Sequence, residues 1–114
     1  MNKVILTGHI GKEPETKDFG DSTVTNFSLA TKRSKKVGDK WEEETDWHNV
    51  VYWGKRTLQR GDHIGVEGFL RTRSYGEPKK YITEVVTRSI EVYRKKEVTS
   101  ESNDLSNTQN GLPF

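Results

Sequence analysis

The 114-residue sequence predicts an all-β fold: a small barrel of five strands with a short helical turn and a disordered C-terminal tail. Three observations predict it. Apolar and polar residues alternate in five segments bounded by turn-forming Gly, Pro, Asn and Asp. Glycines interrupt those segments at positions 8, 65 and 68, a costly choice unless the sheet bends sharply, as a small closed barrel requires. No stretch carries the periodicity of a long helix.

Lys3 to Ile10 is rich in β-branched and aliphatic residues and is closed by Gly11 and a Lys12-Glu13-Pro14-Glu15 turn, which makes it strand one. Thr23 to Thr31, with Phe27 and Leu29 on one face, is strand two and follows a loop at Phe19-Gly20-Asp21-Ser22. Lys32 to Glu44 holds two basic pairs, then Gly38-Asp39 and Trp41, and reads as a long solvated hairpin loop. Strand three runs from Thr45 to Trp53. Gly54 to Asp62 offers a brief helical turn around Arg56-Thr57-Leu58-Gln59. Ile64 to Tyr75 and Lys80 to Tyr93 are strands four and five, joined through Gly76-Glu77-Pro78-Lys79. Five strands with one small helical element fit an OB-fold, a Greek-key barrel.

From Glu97 onward the composition turns to Ser, Thr, Asn, Gln and acids, with almost nothing apolar before Leu112-Pro113-Phe114. Such a segment cannot offset the entropy of ordering itself. The organisation expected is one domain over residues 1–94 and a disordered tail over 95–114, whose apolar tip is useful only if another protein binds it.

Only 30% of the residues are hydrophobic against 32% charged, so the core must be thin and self-association would help bury apolar surface. The absence of cysteine excludes disulfides, thiolate nucleophiles and cysteine-based zinc sites. The three histidines fit no ligand spacing and no phosphate-cradling or dinucleotide motif occurs, so neither metal nor cofactor is expected. The first apolar run is too short for a signal peptide or membrane span, which makes a cytoplasmic protein the expectation. All 19 Lys and Arg lie at or before Lys96 and three of the 17 acids lie after it, leaving the body at +5 and the tail at −3. A basic body suits a polyanionic partner.

Along strand three, Trp47, Asn49, Val51 and Trp53 share one parity, while His48, Val50 and Tyr52 share the other. Val50 and Tyr52 can supply the inward side, which frees the two indoles to face outward beside Lys55 and Arg56. Aromatics on a strand amid positive charge make a stacking platform, because every base has a π-face and every nucleotide a phosphate. Arg71, Arg73 and Tyr75 repeat the theme on strand four. Phosphate contacts are expected from Lys3, Lys32, Arg33, Lys35, Lys36, Lys55, Arg56, Arg71, Arg73, Lys79 and Lys80. The acidic run Glu42-Glu43-Glu44 with Asp46 lacks the burial needed to split carboxylate pKa values and is not read as catalytic.

These residues resemble the bacterial single-stranded DNA-binding protein family, including versions carried by phages and plasmids. The resemblance lies in Asn2-Lys3-Val4-Ile5-Leu6-Thr7-Gly8 with Gly11 and Pro14-Glu15, then Phe27-Ser28-Leu29-Ala30-Thr31, Glu44-Thr45-Asp46-Trp47-His48-Asn49-Val50-Val51, Val66-Glu67-Gly68-Phe69-Leu70-Arg71-Thr72-Arg73 and Tyr81-Ile82-Thr83-Glu84-Val85-Val86. It implies an OB-fold homotetramer, or a dimer, that binds and protects single-stranded DNA without sequence preference or catalysis during replication, recombination and repair. It places Trp47, Trp53 and Tyr75 at stacking positions and His48 at a subunit contact. The tip Leu112-Pro113-Phe114 resembles the family's docking site for replication and repair proteins. Lys35 stands where members often carry another stacking aromatic, so that contact is missing, replaced by charge, or supplied by Trp41. The segment between Trp53 and Gly61 is shorter than usual, and Asn110-Gly111 replaces acids near the tip. Two rival functions use the same residues differently: an RNA-binding OB protein, and an OB nuclease using the carboxylates with a divalent ion.

Overall fold

The computed structural model describes residues 1–95, in which every regular element is a strand. The strands are β1 (Val4–Ile10), β2 (Glu15–Phe19), β3 (Ser22–Val37), β4 (Lys40–Trp53), β5 (His63–Tyr75) and β6 (Lys80–Arg94). They lie in the order β1-β5-β6-β4-β3-β2, and a further β1–β3 pairing at His9↔Ala30 and Ile10↔Leu29 closes the barrel. All pairings are antiparallel except β4 with β6. Five of these strands make the expected OB barrel, and β2 is added along the edge of β3.

The core forms where one parity of each strand turns inward. Ile10, Phe27, Leu29, Val50, Ile64, Val66, Val85 and Ile90 make one buried cluster, with Val4, Leu6, Tyr52, Leu58 and Val92 packed against it. Closure brings backbones together at two of the glycines singled out by sequence. A Cβ on Gly8 would collide with the Ala30 carbonyl, and one on Gly68 with the Val86 carbonyl. At Gly68 the β5–β6 register also shifts, between Glu67 and Gly68, so the glycine sits at a bulge that sharpens the local bend.

Three expectations need correction. Glu15 to Phe19, expected as turn and loop, is a strand, paired with β3 from Glu15↔Asn26 to Phe19↔Ser22 across a two-residue turn at Gly20-Asp21. All five of its residues are exposed, so it lacks the one-sided burial that marks a strand in sequence. Lys32 to Glu44 is no loop either. β3 continues to Val37 and β4 begins at Lys40, around a two-residue turn at Gly38-Asp39. Both faces of this projecting hairpin are largely exposed, and cross-strand charge pairs replace the apolar alternation.

The helical turn at residues 56–59 does not form. A four-residue helix is too short to overcome nucleation, and the backbone groups of the segment find other partners. The Gly54 carbonyl accepts from the Thr25 hydroxyl at 2.8 Å, the Gln59 amide donates to the Asp62 carboxylate at 3.0 Å, and the Arg60 amide donates to Glu13 at 2.8 Å. Lys95 Nζ binds the buried Asp62 carboxylate at 2.8 Å and the Thr57 carbonyl at 2.9 Å. These bonds tie Lys95 to the 57–62 segment.

Candidate nucleic-acid interface

The outward parity of β4 carries Trp41, Trp47 and Trp53, which are 66%, 62% and 53% exposed. The register from Val24↔Trp53 to Val37↔Lys40 is unbroken, so the alternation holds along the whole strand and the three indoles share a face. Across the sheet the same face continues in rows. One row is Asn26, Val51, Val86 and Phe69, and the next is Ser28, Asn49, Glu84 and Arg71. Val51 and Val86 are buried, so the first row is an apolar floor. Arg88 covers one end of it, its guanidinium 5.2 Å from the Phe69 ring centroid.

Trp47 sets the outer edge of its indole against Gly11, a close approach that is open because Gly11 has no side chain. A Cβ there would run into the edge of the indole. This gives Gly11, read in sequence only as a strand terminator, a part in seating the exposed ring.

Glu84, buried at the centre of the second row, accepts from Arg71 Nη2 at 3.0 Å, from Arg73 Nε at 2.9 Å and from Arg73 Nη2 at 3.1 Å. Sequence reading did not find this partner. Its signal is the β5–β6 register, which sets Arg71 opposite Glu84. The two guanidiniums are thus held in fixed orientation and carry one net positive charge with Glu84. Burial pushes the Glu84 carboxyl up, but hydrogen bonds and charge from Arg73 and Arg71 outweigh it and leave the pKa below its ordinary 4.5. A carboxyl depressed by folding stabilises the fold above its unfolded value and loses that contribution as pH falls through the depressed folded value. Glu84→Gln should therefore lower the denaturant midpoint at neutral pH and shrink its decline on acidification, and an acid limb identical to the parent's would show the cluster to be inert.

The cations expected to meet phosphate are not all on this face. Lys32 and Lys36 share the parity of Trp41 and Trp47, with Lys36 directly opposite Trp41. Lys32 also reaches Glu43 at 3.5 Å. Arg33 and Lys35 point to the reverse of the hairpin. Arg33 binds Glu44 and Asp46, each at 2.8 Å, and Lys35 reaches Glu44 at 3.5 Å. The acidic run therefore splits between two faces, with Glu42, Glu44 and Asp46 on one and Glu43 on the other. Among the described residues no cluster of three His, Asp or Glu is placed to hold a metal.

Tyr75, 49% exposed, ends β5 opposite Lys80, with Lys79 in the adjoining turn. Lys55 follows Trp53 and is exposed. Arg56 instead donates to the Ile90 carbonyl at 3.2 Å, tying the 54–62 segment to β6. Lys3 precedes β1, whose antiparallel register with β5 begins at Val4↔Gly68, so it falls beside Phe69 at the β5 end of the first row. His48 is half-buried, its Nε2 2.8 Å from the Thr31 hydroxyl. The tip Leu112, Pro113 and Phe114 lies outside the described residues.

The model of the Single-strand binding protein family matches residues 1–93. The chain belongs to that family. Among curated relatives, "Single-stranded DNA-binding protein 1" of Chlorobaculum tepidum is 35% identical over 96% of this chain and 75% of its own length. The protein of the same name from Xylella fastidiosa is 33% identical over 97% of this chain and 88% of its own. Among solved structures, the Plasmodium falciparum SSB in complex with ssDNA superposes with a TM-score of 0.73 at 28% identity, covering 81% of this chain and 94% of that one. The family-model match ends within β6 and so coincides with the barrel.

Proposed function

We propose that this protein binds single-stranded DNA along the outward face of β4, by base stacking and phosphate attraction, without reading sequence and without catalysis. The observation that carries the proposal is the line of Trp41, Trp47 and Trp53. Three exposed indoles spaced six residues apart on one strand face extend over roughly 40 Å at a rise of about 3.3 Å per residue. A monomer gains nothing from holding so much aromatic surface in water, whereas unpaired bases cover it and contribute about 1–3 kcal/mol per stack. Lys32, Lys36, Lys55 and Lys80 stand along the same track for the phosphates.

Trp41 takes the stacking role that the residue at position 35 would otherwise fill, because Lys35 faces the reverse of the hairpin and Trp41 shares the face of Trp47. Self-association completes the proposal, with His48 at a subunit contact in a homotetramer. Protection of DNA strands in replication, recombination and repair, with recruitment of partner proteins through Leu112-Pro113-Phe114, is the cellular role that this binding serves. The relatives' names and the DNA-bound neighbour support DNA as the ligand.

Titration of oligo-dT against its duplex, followed by tryptophan fluorescence, tests the proposal. Strong quenching by the single strand alone is expected, with log affinity falling against log salt by about 0.7 per phosphate neutralised. Equal affinity for duplex without quenching overturns it, and preference for the matched RNA oligomer would favour an RNA role.

A further inference from the structure

The strand that the sequence concealed carries an aromatic residue without a structural purpose of its own. Phe19 ends β2, is 59% exposed and belongs to no part of the core cluster. Its pairing partner across the Gly20-Asp21 turn is the small, exposed Ser22, so the ring does not clasp the hairpin. Instead it stands beside Trp53, with ring centroids 6.5 Å apart and planes inclined at 44°. The tilt prevents face-to-face stacking, and both rings remain more than half exposed.

Register places these rings on one surface. Lys17 pairs with Val24, and Val24 with Trp53, so the three form a row across β2, β3 and β4. Phe19, two residues beyond Lys17, projects from the same face. Val24 is only 5% exposed and forms an apolar floor between a cation and an indole. The row thus repeats the composition of the stacking track and continues it from the end of β4 onto the sheet edge.

The geometry points to Phe19 and Lys17 as a further subsite for single-stranded DNA, taking the nucleotide next to the one stacked on Trp53. This rests on the stacking face of β4 being the DNA-binding surface. Phe19 receives the base and Lys17 the phosphate. The 6.5 Å between rings is nearly twice the step of about 3.4 Å between stacked bases, which suits neighbouring bases splayed onto separate rings. The subsite also sets a direction, carrying the strand off β4 toward the open edge of the sheet.

The test is titration of labelled oligo-dT with the full-length protein and its Phe19→Ala, Phe19→Leu, Phe19→Tyr and Lys17→Ala variants. Phe19→Ala and Phe19→Leu should both weaken binding by about 5- to 150-fold, and Phe19→Tyr, which keeps the π-face, should bind as the parent does. Lys17→Ala should reduce the slope of log affinity against log salt by about 0.7. Parental binding by Phe19→Leu would show the side chain to act only as bulk against Trp53 and would overturn the subsite. So would parental binding by all four variants while Trp47→Ala binds weakly, an outcome that leaves the DNA-binding face intact. Failure of the parent to prefer single strand over duplex would remove the face itself.

Discussion

Trp47→Ala should weaken binding to oligo-dT by about 5- to 150-fold, the loss of one base stack. The thermal midpoint should stay within about 4 °C of the parent, because surface substitutions change stability by only about 0.5 kcal/mol. The two effects separate because the indole is 62% exposed and lies outside the core cluster. Fluorescence anisotropy of a labelled oligomer, read beside thermal unfolding by circular dichroism, makes the comparison. Trp47→Phe should retain most of the affinity, since it keeps a smaller π-face on the same perch above Gly11. Loss of affinity accompanied by an equal loss of stability would mean that the ring is structural, and the stacking role would fall.

Gly68→Ala should lower the thermal midpoint by roughly 12–24 °C, corresponding to about 3 kcal/mol at the upper end of the overpacking range. The obstacle to a Cβ there is the Val86 carbonyl and the Thr87 Cα, at 2.6 Å for the latter. Neither can rotate away, so the β5–β6 ladder must open at its bulge. Gly65→Ala provides the contrast, because the atoms in its way belong to the Tyr93 ring and hydroxyl, a side chain that can move. Its midpoint should fall by much less. Both variants need measurement at one protein concentration, since self-association would shift the midpoint with concentration. Equal midpoints for the two would show that the closeness at Gly68 is not a constraint on the barrel.

The sequence exposed the site where burial on one side writes a period of two. Val50, with the half-buried Tyr52 packed beside it, supplies the inward parity of β4, and that is why Trp47 and Trp53 could be assigned outward before any coordinates. Where neither face is buried, the same rule has nothing to read. β2 is wholly exposed, and the ends of β3 and β4 are held by Arg33, Lys35 and their acidic partners rather than by apolar contacts. Phe19 was lost with β2. The one local signal for it was the Gly20-Asp21 pair between Phe19 and Ser22, which has the form of a two-residue hairpin turn.

Charge was the least legible quantity. A run of Lys and Arg states how many cations exist but not which face or partner each finds. Arg33 and Lys35 turned to the reverse of the hairpin, Arg56 bound a backbone carbonyl, and Arg71 with Arg73 converged on Glu84, thirteen and eleven residues away in the chain.

By itself the sequence determined an all-β barrel, its five principal strands, the glycines on which closure depends and the parity that sends two indoles outward. Those properties follow from spacing along the chain and are set by hydrophobic alternation and steric limits on the backbone. Only the tertiary structure decided which strands lie side by side. That neighbour relation set Glu84 beneath two arginines and brought Phe19 to Trp53, because cross-strand register joins residues whose separation in sequence carries no period.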